Sequence, residues 1–330
     1  MYRCYAFYSF FFTTFTANYL RLMQFKRRSF LKNASVLAGT AFLSSPIESF
    51  AAVNKSFNNL TKGNTISIFH TAELNGKINS NTDLIGGLQE IRTTINQLET
   101  SGLIVDAGNF MNKSFSPEMI YQMNKTGYHA ATFGANELIL GAKKFEQLIT
   151  VASFPIVNCN YTFESPSRVR PYLIVYSGKL KIGITGVSPE MNTTGLTFND
   201  PYICVNKITK TLKEQEGCDL VICLSSLQSN DKKFNNQGLA ATSKYLDFII
   251  GTKGDKVQNG ALILQNANRQ EVIVSTASYK GMTLGKTTFG FSTDKIRNHF
   301  DHEYLVPGSP FKKGSLQAQK LHHQLMSGLA

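Results

Sequence analysis

The sequence predicts an α/β protein, a layered α/β/β/α sandwich with helices outside two packed sheets. Three observations carry this. Between residues 65 and 152, short apolar runs of strand type alternate with runs of helical spacing. That alternation is the signature of mostly parallel sheet covered by helices. From 155 to 292 strand-like runs dominate, so a second sheet must pack on the first. No internal repeat is present, which excludes solenoids and propellers.

The elements follow in order. "TISIFH" (65–70) is β-branched and alternating, a strand. "GGLQEIRTTINQLET" (86–100) places Leu88, Ile91, Ile95 and Leu98 on one helical face. "LIVDAG" (103–108) opens as a buried strand. "SPEMIYQMNKTG" (116–127) reads as a helix with Ser116 as N-cap, Pro in its first turn and Gly127 at its end. "HAATFG" (129–134) is a strand and "AKKFEQLITVA" (142–152) a helix. Strands are expected at 155–158, 171–176, 181–187, 219–224, 246–250, 261–265, 271–275 and 286–292, with a helix near 203–216. "KFNNQG" (233–238) and "KGDKVQNG" (253–260) read as solvated loops. A polar tail, 298–330, is expected to hold a final helix at 314–326.

Composition narrows the function classes. With 330 residues, 42% of them hydrophobic, the chain can bury a large core. Its net charge of +12 is partly carried by Arg3, Arg21, Lys26, Arg27, Arg28 and Lys32 near the N-terminus. No stripe of basic residues with interleaved aromatics appears, so no nucleic-acid partner is expected. No C-x-x-C pair occurs, and Cys159, Cys204, Cys218 and Cys223 read as free thiols.

The first 51 residues read as a targeting signal. Arg27-Arg28-Ser29-Phe30-Leu31-Lys32 resembles the twin-arginine export motif. An apolar run, Val36 to Leu43, follows it, and Ser49-Phe50-Ala51 offers small residues for a signal peptidase. The apolar run is too short to be a permanent membrane anchor. The competing reading is an ordinary N-terminal helix with two surface arginines. Met23 is a candidate true start. Residues 52–63 read as a linker, and 64–297 as the folded domain. The motif implies export of a folded bacterial protein to the periplasm or cell envelope.

Ligands of open α/β sheets sit beyond the carboxyl ends of the strands. There the sequence carries "TAELNGKI" (71–78), "DAGNF" (106–110), "GANEL" (134–138), "SSLQSN" (225–230) and "GTKGD" (251–255). This order resembles the calcineurin-like metallophosphoesterases of the 5′-nucleotidase family. Their strands end in T-N-D-x-H-G, D-x-G-D, G-N-H-E, L-S-H and G-H-x-H. The framing residues match: His70-Thr71 and Gly76, Gly86-Gly87, Asp106-Ala107-Gly108, Gly134, Glu137, Gly141, Leu224-Ser225 and Gly251. "FPIVNCN" (154–160), "KIGITGVSPE" (181–190) and "EVIVSTASYKGMTLG" (271–285) extend the resemblance over roughly 64–292.

The ligand positions implied by that resemblance have changed. The first-strand Asp and His are Glu73 and Asn75. The bridging Asp is Asn109. The Asn and general-acid His of G-N-H-E are Ala135 and Asn136. Ser226 replaces the His after Leu224-Ser225, and Thr252 and Gly254 replace the two histidines of G-H-x-H. The family chemistry needs two metals about 3.5–4 Å apart, held by imidazole and carboxylate. A neutral amide at 109 neutralises no charge, and Asn136 cannot protonate a leaving group. The expectation is therefore a catalytically inactive binding or partner module without a cofactor. The alternative is a working phosphoesterase with two divalent metals (Mn, Mg, Ca or Zn) weakly held by an oxygen-rich site. Lys253 and Lys256 are candidate anion contacts. The partner is an unidentified protein, and the resemblance permits a separate chain carrying a 5′-nucleotidase C-terminal-type domain. Of the histidines, His70 belongs to the framing, and His299, His302, His322 and His323 fall in the expected tail.

Overall fold

The computed structural model describes residues 64–81, 85–228, 231–252, 261–276 and 279–308. The expected linker, the leader, Lys253, Gly254, Lys256 and the helix at 314–326 lie outside them.

The first half alternates as read. Strand β1 (Thr65–Thr71) leads to helix α1 (Gly87–Gln97), β2 (Leu103–Asp106), α2 (Glu118–Thr126), β3 (Ala130–Ala131), the short α3 (Ala135–Leu138) and α4 (Gly141–Ile149). Then come β4 (Tyr161–Phe163), β5 (Tyr172–Ser177), β6 (Leu180–Val187), β7 (Leu196–Phe198) and α5 (Pro201–Lys210), which runs on into a π-helical turn, Thr211–Gln215. The rest is β8 (Leu220–Ser225), α6 (Asn236–Thr242), β9 (Phe248–Gly251), β10 (Leu262–Gln265), β11 (Glu271–Thr276), β12 (Leu284–Phe291) and β13 (Arg297–Leu305).

Five strands form the first sheet in the order β13-β12-β1-β2-β3, and six form the second, β10-β11-β9-β8-β6-β5. Strands β1, β2 and β3 are parallel, as are β6, β8, β9 and β11. Period-2 alternation gives each central strand two buried faces. On β1, Phe69 packs with Leu88, Ile91, Ile120 and Phe145 under the helices of the first sheet. Its other face carries Ile66, Ile68 and His70, all buried. That face meets the second sheet, where the Phe248 ring lies edge-on to His70. Beyond the second sheet, Val221, Cys223 and Ile249 pack with Val205, Leu212 and Leu239 of α5, the π turn and α6. The layers are therefore helix, sheet, sheet, helix, as the sequence predicts. Cys159, Cys204, Cys218 and Cys223 are all free thiols.

Three local readings are corrected. Residues 298–305 are not tail: they form β13, an edge strand paired along β12. Its inward residues, Phe300, His302 and Tyr304, are aromatic or polar, so the alternation carried no aliphatic signal. Residues 236–238 are not a solvated loop but open α6, whose N-cap Asn235 accepts a hydrogen bond from the Gly238 N–H at 2.8 Å. Ser116 is not the cap of α2, which begins at Glu118 after Pro117. Gly127 ends that helix in the left-handed conformation as expected.

Candidate functional site

The parallel strands of the first sheet end side by side, and their following loops are joined by main-chain bonds. The Glu73 N–H donates to Gly108 O (3.0 Å), Asn75 N–H to Asn109 O (2.9 Å) and Gly76 N–H to Phe110 O (2.8 Å). To make that ladder, Glu73, Asn75 and Asn109 take φ values of 55°, 50° and 55°. Asn tolerates the left-handed region and Glu does so rarely, so the loop shape is imposed from outside the side chain. Gly134 must be glycine, because a Cβ there would stand 2.3 Å from Asn109 Oδ1.

Two buried carboxylates brace the loops. Glu137 accepts from the backbone N–H groups of Gly134 (2.7 Å), Met111 (2.8 Å) and Asn109 (3.1 Å). Burial pushes its pKa up to about 7, against the three amides, which favour the anion. Asp106 accepts from Thr71 Oγ1 (2.6 Å) and Gly108 N–H (2.8 Å), and burial holds its pKa well above the usual range. Both carboxylates are thus occupied by donors of the loops and of β1.

Four of the altered positions, Glu73, Asn75, Asn109 and Asn136, meet in one closed circuit. Asn109 Nδ2 donates to Glu73 Oε1 at 2.7 Å. Asn109 Oδ1 accepts from the Asn136 N–H at 3.0 Å. Asn136 Nδ2 donates to Asn75 Oδ1 at 2.6 Å, and Asn75 Nδ2 donates to Glu73 Oε2 at 3.3 Å. Second bonds from Asn136 Nδ2 to Met111 O (2.9 Å) and from Asn75 Nδ2 to Glu73 O (3.0 Å) pin the ring to the backbone. Burial raises the Glu73 pKa, and the two amide donors oppose the rise.

The second sheet contributes hydroxyls that turn inward. Ser226 Oγ, 1% exposed, donates to Phe133 O (2.9 Å), and Thr252 Oγ1 to Leu227 O (3.1 Å). Asn236, a residue that sequence reasoning placed in a solvated loop, is buried here. Its Oδ1 accepts from Ser225 Oγ at 2.6 Å, joining α6 to the end of β8. Ala135 offers no donor atom, and Gly254 is outside the described residues.

This donor set does not suit a pair of divalent cations. Glu73 is the one carboxylate in the ring, and amide N–H groups point at both its oxygens. A cation needs lone pairs directed toward it, preferably with formal negative charge. The hydroxyls of Ser226 and Thr252 donate to carbonyls and bring no formal charge to a cation. No group of three or more His, Cys, Asp or Glu converges as a metal-binding set among the described residues.

Comparison with known proteins places the fold. No protein-family model matches the sequence. It is 21% identical over 273 residues to the trifunctional nucleotide phosphoesterase protein YfkN of Bacillus subtilis, covering 68% of this chain and 18% of that protein. It is 27% identical over 206 residues to an apyrase of Tabanus yao, covering 55% of this chain and 35% of the apyrase. The chain thus spans well under two thirds of the length of these curated relatives. Among solved structures, the 5′-nucleotidase precursor of Thermus thermophilus superposes with a TM-score of 0.66 at 19% identity, over 80% of this chain and 59% of that one. The calcineurin-like phosphoesterase YfkN of Bacillus subtilis gives 0.59 at 19%, over 80% and 98%. With its layer order, its strand-end loops and these superpositions taken together, the chain has the metallophosphoesterase fold of the 5′-nucleotidases and calcineurin-like phosphoesterases.

Proposed function

We propose that this protein is a binding or partner module on a phosphoesterase fold, without hydrolytic activity. The observation that carries the reading is the closed circuit Glu73–Asn109–Asn136–Asn75. Where hydrolysis needs several charged ligands and a proton donor, this chain has one carboxylate and three amides that satisfy one another. An amide such as Asn136 does not titrate in the working range, so it supplies no proton to a leaving alkoxide. The twin-arginine-like leader supports export, with the module working in the periplasm or cell envelope. Its partner is an unidentified protein, a separate 5′-nucleotidase C-terminal-type domain being the candidate that the fold suggests. No helix among the described residues is long and apolar enough to cross a membrane.

The second reading, a phosphoesterase with a rebuilt oxygen site, draws on the same cluster. Glu73 and three amides lie within hydrogen-bond reach of one another and would have to turn their oxygens to a shared cation. Metal content of the purified chain by mass spectrometry, with 5′-AMP and a phosphodiester assayed under added Mn²⁺, separates the two. The proposal expects no stoichiometric metal and no turnover. Near-stoichiometric metal with turnover abolished by Glu73→Ala would replace it with the second reading.

A further inference from the structure

Beneath the site, four side chains of the first sheet meet one hydroxyl network between the sheets. His70 on β1, fully buried, faces Ser275 Oγ of β11 with its Nε2 at 3.2 Å. His302 on β13 brings its Nε2 to 3.4 Å from the same oxygen, and Tyr304 OH lies 3.3 Å away. Thr287 Oγ1 on β12 holds His302 Nδ1 at 2.8 Å. The two imidazoles stack at 6.0 Å with 19° between their planes. Gly285 makes room for the first of them, since a Cβ there would sit 2.1 Å from His70 Cε1. Ser275 belongs to the second sheet and all its partners to the first, so this hydroxyl couples the two layers.

The cluster is built for neutral imidazoles. His70 Nδ1 is buried without a hydrogen-bond partner. The nearby charges are accounted for: Lys286 of β12 pairs with Glu303 of β13 at 2.9 Å, Asp301 is exposed, Glu271 lies at the far end of β11, and β9 presents the Phe248 ring. Among the described residues no carboxylate hydrogen-bonds either imidazole. A proton on His70 would therefore be a buried charge facing only the other imidazole, one on His302 would be favoured by Asp301 and Glu303 but opposed more strongly by burial, and protons on both would be like charges 6.0 Å apart.

The two strands that meet here also lead into the site. Three residues past His70 stands Glu73. The turn after β11, Tyr279–Gly281, bonds back to it through Lys280 N–H to Glu73 O at 2.7 Å. We propose that the His70–Ser275–His302 cluster is an acid-released latch: protonation of the imidazole pair uncouples the first sheet from the second and loosens the paired loops that carry Glu73 and Lys280. The latch does not depend on whether the cleft above it binds or hydrolyses.

Burial lowers both histidines from their ordinary range, His302 to about 4. A lowered folded-state pKa means stability that is complete above pH 6.5 and is lost as pH falls through the folded value. Each histidine released from burial would favour the open form on the order of tenfold or more near pH 4.5. The full chain, labelled with ¹⁵N, tests this by imidazole titration and amide-exchange protection from pH 7.5 to 4. The expected result is two imidazoles still neutral at pH 5. Protection in β1, β11, β12 and β13 should fall at least about tenfold more than in β5 and β6. His302→Gln should reduce that difference, and His299→Gln, on the exposed face of β13, should leave it intact. Either imidazole titrating near 6.5, equal loss in all strands, or a His302→Gln chain that behaves as the native one would overturn the latch. If His302→Gln does not fold, the native-chain titration and exchange decide alone.

Discussion

Asn136 Nδ2 stands 2.6 Å from Asn75 Oδ1, so the loops after β1 and β3 are bonded directly across the loop after β2. Neither residue is near the other in sequence, and neither is charged. Asn136→Ala removes this bond and the one to Met111 O together. The expected cost is about 1–2 kcal/mol for two part-buried hydrogen bonds, measured as a shift of the urea midpoint with an unchanged slope. A changed slope would mean that the loops themselves had come apart.

Asn109→Asp places a second carboxylate against Glu73, where an amide donor now stands at 2.7 Å. The bond becomes a repulsion between like charges. Stability at pH 8 should fall by about 1–3 kcal/mol and recover on acidification or on adding a divalent cation. Thermal midpoints with and without Ca²⁺ check it. No loss at pH 8 would show that the two side chains do not face each other.

Two glycines should respond for different reasons. Gly127 has φ of 87° and open space where a Cβ would go, so Gly127→Ala should cost only the left-handed penalty, about 1 kcal/mol. Gly134→Ala drives a methyl into Asn109 Oδ1 and should cost more than about 3 kcal/mol by splitting the ring. Equal losses in the two variants would contradict the geometry of the 134–136 loop.

Stability against pH carries opposing contributions that variants can separate. Glu137, raised from 4.5 to about 7, stabilises fully below pH 4.5, and that contribution is lost as pH rises through 7. His129, lowered to about 4, does the reverse, losing its contribution as pH falls from 6.5. Glu137→Gln removes the first slope. Its stability should therefore climb more steeply between pH 4.5 and 6.5 than that of the native chain, whatever the absolute cost of the change. Urea midpoints at four pH values across that window suffice.

How much of this was legible in the sequence differs by element. β1 and β8 announced themselves because aliphatic alternation and buried runs need no partner to be read. The strand-end glycines were legible through the motifs that carry the resemblance and not through their own surroundings: a Cβ at Gly108 would meet Ser226 and Phe133, and one at Gly134 would meet Asn109, all brought in by other strands. β13 was not, since Phe300, His302 and Tyr304 become inward only once β12 and Ser275 are beside them. The same holds for Asn236, whose burial depends on Ser225, eleven residues earlier. The positions of Glu73, Asn75, Asn109 and Asn136 were found from their place after each strand. Their circuit was not, because which amide donates to which is decided by loops brought together from three strands.

The ladder from Glu73, Asn75 and Gly76 to Gly108, Asn109 and Phe110 is made wholly of main-chain atoms. No side chain at these positions takes part in it. Residues there can be exchanged for others that tolerate the backbone angle while the peptide path stays put. The side chains on these loops are thus an interchangeable fitting on a fixed frame, and their chemistry can change by single substitutions that leave the peptide path in place. A laboratory selection for new binding would do well to randomise 75 and 136 and leave the glycines alone.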